Sequence, residues 1–464
     1  MLAPVFWPLC LGIVLAILMV PAAAGRSRDS LREAWVATAF LLPCWVSYTL
    51  VNSIAIDLRG VAALGGLVLL MAIPSPGARL RWTLLDSSFA AMLAGMMATE
   101  LTSGTLQAST VPSLLLGLGL PYLAGRMALG GAQGVVPLTR ACARVVAVGA
   151  VLGAVEMLST LNLADKLSGQ FTMIDFFGEG TRYGLRRAHG SVSQPISYGM
   201  CGILLLPWAL HGAALARAGR GPRWWRWLPA AQIAAILSSL SRGPVLASGI
   251  CLYLYAMLTR RRLRLPMAAL GLTLGLVVYI GQEDVMDLLA MAAEEGGSTQ
   301  TVTINGRVER YSGTRHRQLL YMAYDRALRE NGSLGMGVEQ VSYVPARYKV
   351  PRVLSSIDNH FILHQLIYGV VGLYLLDLFI LATQWTLLRV ALRRGSPYAT
   401  LAAGLFAGQG AVSLNLFSVY LSGDFRSPWL FGAGLAATLA NLDQATRREA
   451  PGRPAPAVSR SRPS

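Results

Sequence analysis

The sequence is short of charge, lysine and cysteine, and each shortage removes a class of protein. Only 14% of its 464 residues are charged while 54% are hydrophobic, too apolar a balance for ordinary soluble domains of this total length. Lys166 and Lys349 are the only lysines, so the formal net charge of +17 rests on arginine. Those arginines are scattered over many short segments, without a basic domain or an aromatic-interleaved module, which argues against nucleic acid as a partner. The five cysteines, Cys10, Cys44, Cys142, Cys201 and Cys251, lie in or beside apolar runs and form no CxxC pair. They read as small buried hydrophobes rather than a zinc site or a disulfide framework. The five histidines form no ligand-spaced cluster with carboxylates, so no metal and no cofactor is expected.

What the chain has in abundance is apolar runs of about 17–25 residues, the length a helix needs to cross a hydrocarbon core of about 30 Å. Lipid gives the backbone no hydrogen-bond partner, so these runs should be helical. The expected fold class is therefore all-α: a polytopic integral membrane helix bundle of about 12–13 spans. The run at residues 4–24 has no positive segment before it and reads as a retained span, not a cleaved signal peptide. Further spans are expected at 35–56, 61–73, 82–101, 111–128, 145–161, 196–216, 228–240, 245–258 and 266–280. After a polar interval come 361–390, long enough for a surface helix continuing into a span, then 398–421 and 429–442. Arginine-dense turns at 79–81, 126–144, 217–226, 260–264 and 393–394 should face the cytoplasm. That leaves 162–195, 238–244 and 282–360 outside. The resulting division is a transmembrane bundle over 1–281, an outer loop domain over 282–360, transmembrane helices over 361–446 and a disordered basic tail over 447–464.

The loop is far longer than a connection between packed helices requires, and loops of that kind tend to carry function on a rigid scaffold. Within it Leu319, Leu320, Ala323, Ala327 and Leu328 stand near helical spacing, which predicts an amphipathic helix on the membrane surface or capping the bundle. The stretch Gly332-Ser-Leu-Gly335-Met-Gly337 should end it.

Three outer segments carry groups suited to chemistry: Arg186-Arg187-Ala-His189-Gly190-Ser-Val-Ser193-Gln194-Pro195, Ser241-Arg242-Gly243-Pro244, and Asp358-Asn359-His360 with His364 one turn on. A juxtamembrane arginine such as Arg242 either snorkels to the interface or meets an anion, and its fork suits phosphate better than lysine does. His360 is either a hydrogen-bonded structural residue or a general base with an ordinary pKa near neutrality. Asp358, two residues away, shares no helical face with it and could orient it only from the cap. Asp86, Glu100, Glu156 and Asp377 fall in or near spans, where solvation at the interface is a safer reading than a transport path.

At these places the chain resembles the O-antigen ligase and polysaccharide polymerase superfamily, multi-span bacterial inner-membrane glycosyltransferases of the C type. Arg187-x-x-Gly190-Ser-x-Ser-Gln-Pro195 resembles that family's Arg-x-x-Gly-Thr-Phe-x-Asn-Pro stretch, and Ser241-Arg242-Gly243 its Ser-Arg-Gly turn. Arg315 followed by Leu334-Gly335-Met-Gly337 is similar to its loop pattern. Asp358-Asn359-His360-Phe361-Ile362-Leu363, then Tyr368-Gly369-Val-Val-Gly372-Leu373, is similar to its closing motif. The resemblance covers residues 187–376, and the spans on either side match only in kind. Ligases often carry His-Asn at the closing motif, whereas Asp358-Asn359-His360 is nearer the exopolysaccharide polymerases. The resemblance implies a periplasmic active site that joins undecaprenyl-diphosphate-linked oligosaccharides, donor to acceptor, by inverting, metal-independent transfer. It further implies Arg187, Arg242 and Arg315 on the diphosphate, His360 with Asp358 as the base, and a flippase and a chain-length regulator as partners beside the lipid bilayer. Two other readings stand: a ligase moving finished glycan to lipid A core or protein, and a transporter or flippase without chemistry. The absence of a clear internal repeat and the placing of the distinctive polar groups on one face weigh against the last.

Overall fold

A computed structural model describes residues 36, 40, 47–49, 55–57, 81–107, 110–159, 161–162, 180–280, 300–304, 306–311 and 315–448. The expected spans at 4–24 and 61–73 and the tail beyond 448 lie outside the described residues. Those described are mostly helical. An exception falls in the stretch 35–56 expected as a span: β1 (Ser47–Thr49) pairs antiparallel with β2 (Ala55–Asp57), Tyr48 facing Ile56. Tyr48, Thr49 and Ile56 are aromatic or β-branched, types that suit a pleated strand.

Helix α1 (Leu84–Thr102) opens on a capping box: the Asp86 N–H donates to Thr83 Oγ1 and the Thr83 N–H to Asp86 Oδ2. Asp86 is not solvated at an interface as its sequence position suggested. It is buried, 2.9 Å from the Arg126 guanidinium and accepting from the Tyr122 hydroxyl at 2.8 Å. Thr83→Ala removes one half of the box and is expected to cost about 1 kcal/mol, read as a lower melting temperature of the purified protein in detergent. An unchanged midpoint would show that the Arg126 pair alone fixes this helix start.

The chain continues through α2 (Thr110–Leu114), a π turn at Leu115–Gly119, and α3 (Leu120–Ala128) into α4 (Val135–Ser159). A small ribbon of β3 (Thr181–Arg182) and β4 (Leu185–Arg186) precedes α5 (Pro195–Arg217), α6 (Leu228–Ser238), α7 (Arg242–Thr259) and α8 (Arg264–Ile280). A hairpin of β5 (Gln300–Ile304) and β6 (Arg307–Tyr311) leads to α9 (His316–Glu330) and the short α10 (Val338–Val341) and α11 (Val344–Arg347). The last three helices are α12 (His360–Leu392), α13 (Ala399–Asn415) and α14 (Gly423–Arg448).

Three stretches, Ala132–Ser159, Pro195–Arg217 and His360–Leu392, are helices long and apolar enough to cross a membrane. Of these, α5 is buried along almost its whole length and forms the axis of the main hydrophobic core. The other two leave broad apolar faces outward, as lipid-facing helices do. Helices α3 and α14 approach backbone to backbone: a Cβ at Gly125 would stand 2.1 Å from the Phe431 carbonyl oxygen, and one at Gly434 equally close to that of Tyr122. Small residues permit such contact where van der Waals packing has to hold helices together.

Arginine-rich connections collect at one end of the molecule. There Arg126 Nη2 and Asn441 Nδ2 donate to the Arg81 carbonyl at 2.7 and 2.9 Å, and Arg393 pairs with Asp443. A second, smaller core forms at the opposite end. It joins Val302 and Ile304 of β5, Leu319, Leu320, Ala323, Tyr324 and Ala327 of α9, and Ile362 and Leu366 of α12. The amphipathic helix expected from residues 319–328 is thus present, with Tyr324 completing its buried face and donating to the Leu354 and Ser355 carbonyls at 3.2 and 3.3 Å.

Candidate functional site

The turn between α6 and α7 is held from beneath by arginines of the β3–β4 ribbon and its exit. Arg182 Nη1 donates to the Leu240 carbonyl at 2.6 Å, Arg187 Nη2 to Ser241 Oγ at 3.0 Å, and the Ala188 N–H to the Ser238 carbonyl at 2.9 Å. Leu240 takes φ = +48°, a left-handed conformation that a branched side chain adopts only when its surroundings impose it. Two arginines expected to share one role therefore occupy different positions. Arg187 is buried and braces the turn, whereas Arg242, first residue of α7, is exposed. Among the described residues no hydrogen bond or ion pair engages the Arg242 guanidinium.

The ribbon is anchored in turn by Glu156 near the end of α4. This carboxylate is buried and accepts from the His189 and Gly190 N–H groups at 3.2 and 2.9 Å, with Arg186 Nε at 3.7 Å. Asn162 Nδ2 closes the loop on the Gly190 carbonyl at 3.0 Å. Glu156 is therefore a structural acceptor inside the protein, not a solvated residue at an interface, because two backbone N–H groups there need a partner.

The connection between α13 and α14 is where the three sequence segments meet. Ser193 donates to Asp424, and Ser197 Oγ lies 3.2 Å from Ser422 Oγ. Gly243 packs on Asn415, whose side chain would be 3.3 Å from a Cβ at that glycine. The His360 N–H donates to the Leu416 carbonyl at 2.9 Å, Asn359 Nδ2 to that of Phe417 at 2.9 Å, and Arg317 Nε to that of Ser418 at 3.2 Å. Segments separated by up to about half the chain thus meet at this connection and the two helix ends it joins. Arg315 stands half-buried at the N-cap of α9, one residue from His316.

Asp358 does not pair with His360. It precedes the N-cap, Asn359, whose side chain accepts from the Ile362 N–H at 3.1 Å, and from there its carboxylate reaches His316, with Nε2 3.7 Å from Oδ2. The His360 ring instead lies 5.4 Å from that of His364, within the field of the Arg426 guanidinium, and its Nδ1 is buried without a hydrogen bond. His364 Nε2 donates to the Gly372 carbonyl at 3.2 Å.

Helix α12 is broken at Gly369, where φ = 69° and ψ = −172°, a region essentially reserved for glycine. The break receives the loop. Met336 and Gly337 donate their N–H groups to the Leu366 and Ile367 carbonyls at 3.1 and 2.9 Å, and Val371 donates to Ser333 at 3.0 Å. Glu100, also buried, accepts from the Val338 N–H at 3.0 Å and from Thr105 Oγ1 at 2.5 Å, tying the same segment to α1.

Sequence reasoning passed over Asp424 and Arg426, although a charged pair directly before an apolar run was a visible signal. Arg426 comes close to the π turn, its Nη2 being 3.2 Å from where a Cβ at Gly117 would stand. Among the described residues no three His, Cys, Asp or Glu side chains are grouped so as to hold a metal ion. The sequence matches no protein-family model and no curated protein.

Proposed function

We propose that this protein is a polytopic bacterial inner-membrane glycan polymerase, joining polyprenyl-diphosphate-linked repeat units at its periplasmic face. The observation that supports this reading best is the meeting of the Arg187–Pro195, Ser241–Gly243 and Asp358–His360 segments around the α13–α14 connection, at the first turn of α14, the last residue of α13 and the loop between them. Three segments that resemble one enzyme superfamily are thus close enough to serve one site.

The chemistry follows from the charges. An acceptor hydroxyl oxygen bonds to the anomeric carbon of the donor as the bond from that carbon to the diphosphate breaks, so negative charge develops on the leaving group. Arg242, exposed beside the strained turn, is placed to meet it with charge-assisted, bidentate hydrogen bonds, and Arg187 keeps that turn in shape. Preorganised donors aimed at developing charge give a large share of catalysis in such displacements. Polyprenyl tails would lie along the apolar faces of α4 and α12.

A transporter would draw support from the broken helix α12, since interrupted helices line transport sites. The break at Gly369, however, is filled by backbone from Ser333–Gly337.

The test is turnover in detergent with EDTA, using purified protein and lipid-linked glycan extracted from cells deleted for this gene. A ladder of longer lipid-linked products is expected. Transfer to added lipid A core without a ladder would make it a ligase, and no product from either acceptor would remove glycosyl transfer altogether.

A further inference from the structure

We infer that Tyr311, His316 and Asp358 form the proton-accepting chain of this site, with the Tyr311 hydroxyl as the group that meets the acceptor sugar. The inference rests on the glycosyl-transfer reading and assigns to the loop a role that its closing-motif histidine, His360, would otherwise hold.

The geometry is a tyrosine–histidine–carboxylate relay. Tyr311 Oη lies 3.3 Å from His316 Nδ1, with the two rings edge to face at 5.8 Å between centroids. On the far side of the imidazole, Nε2 has no hydrogen bond and stands 3.7 Å from Asp358 Oδ2, so that carboxylate acts on the ring through its charge. Tyr311 ends β6, His316 begins α9 and Asp358 precedes α12, so three elements converge to build the chain. Asp358 is 47% and the His316 side chain 12% exposed, which keeps the relay at the edge of the protein, where a sugar can reach it. Arg317, next along α9, bonds the α13–α14 loop and so fixes the relay against the segments that carry Arg242 and Asn359.

The electrostatic surroundings separate the two histidines. A base that takes a proton becomes cationic, and a neighbouring carboxylate stabilises the product while a neighbouring guanidinium opposes it. Asp358 faces His316 from one side, while Arg317 opposes it from the same helix and Arg315 precedes it at the N-cap. His360 has Arg426 and a second imidazole around it, and among the described residues no carboxylate pairs with it. Burial holds His316 below the ordinary imidazole value, with Asp358 pulling back upward and Arg317 adding to the fall, so the ring is neutral and able to accept near pH 7. Burial and Asp358 both push the Tyr311 phenol up, so it carries its proton and serves as a relay. In the step itself the acceptor O–H proton passes to the Tyr311 oxygen as the tyrosine's own proton moves to His316 Nδ1. The acceptor oxygen bonds to the anomeric carbon and the diphosphate leaves with the electron pair.

The experiment measures polymerisation rate against pH in the detergent assay for wild type, Tyr311→Phe, His316→Gln, Asp358→Asn and His360→Gln. Tyr311→Phe and His316→Gln are each expected to lose about 10²-fold or more. The wild-type rate should fall on the acid side as His316 protonates. Asp358→Asn removes the charge that favours imidazolium, so its acid limb should move to lower pH, a shift no merely structural role produces. In His360→Gln the acid limb should stay in place. A wild-type rate in Tyr311→Phe, or an acid limb unmoved in Asp358→Asn, overturns the relay while leaving the polymerase standing. A wild type that makes no ladder overturns both.

Discussion

Arg242→Ala is expected to lower the proposed glycan polymerisation by about 10²–10³-fold, the loss seen when one preorganised donor to developing charge is removed. It does so without a matching loss of stability. The guanidinium is exposed and no hydrogen bond or ion pair among the described residues engages it, so truncation leaves no buried partner behind. Arg242→Lys retains the charge but not the planar fork and should fall between wild type and alanine. Arg187→Ala is the instructive contrast. Its side chain is buried and bonded to Ser241 at 3.0 Å, so its removal should lower both rate and melting temperature. The measurement is initial rate in the ladder assay beside thermal unfolding of the same preparations. Wild-type turnover by Arg242→Ala, in protein that melts normally, would remove the diphosphate role.

Gly369→Ala should release the loop from α12 at a cost of about 2–5 kcal/mol, combining a backbone conformation that side chains avoid with an overpacked contact. A Cβ there would stand 2.2 Å from the Ser333 carbonyl oxygen and 2.5 Å from the Gly335 nitrogen. Both are backbone atoms, so no rotamer change relieves the clash. Gly335→Ala meets the same interface from the other side, with a Cβ 2.3 Å from the Ile367 oxygen and φ of +79° at the glycine. Because the two glycines share one contact, the double variant should cost little more than either single one. Faster limited proteolysis around residues 330–340 reads the release directly, and the rate should fall with it. Additive losses would mean that the two positions act through separate contacts.

The two glycine motifs illustrate how far the sequence carries. Leu334-Gly335-Met-Gly337 stands out as the end of a helix, and both it and Tyr368-Gly369-Val-Val-Gly372 stand out through the family resemblance. That they bind one another was not recognisable, because a backbone-to-backbone contact leaves no mark in either segment alone. The carboxylates behaved alike. Asp86, Glu100 and Glu156 each stand out in apolar sequence, and solvation at an interface is the reading their positions suggest. All three are buried, and each is engaged by a group from another segment: Asp86 by Arg126, Glu100 by the Val338 N–H, and one oxygen of Glu156 by the His189 and Gly190 N–H groups.

By itself the sequence determined the helical character, most helix positions between residues 82 and 442 and the amphipathic helix of the loop. These follow from local physics: lipid-length apolar runs, the 3.6-residue period, and the turn and cap preferences of glycine, proline, serine and arginine. Tertiary structure decided which arginine is free and which is a brace, that Asp358 faces His316 and not His360, and that α12 is interrupted to receive the loop. Those outcomes depend on side-chain direction and on contacts between residues that lie in different elements, dozens of positions apart, and neither is encoded in the spacing of any one segment.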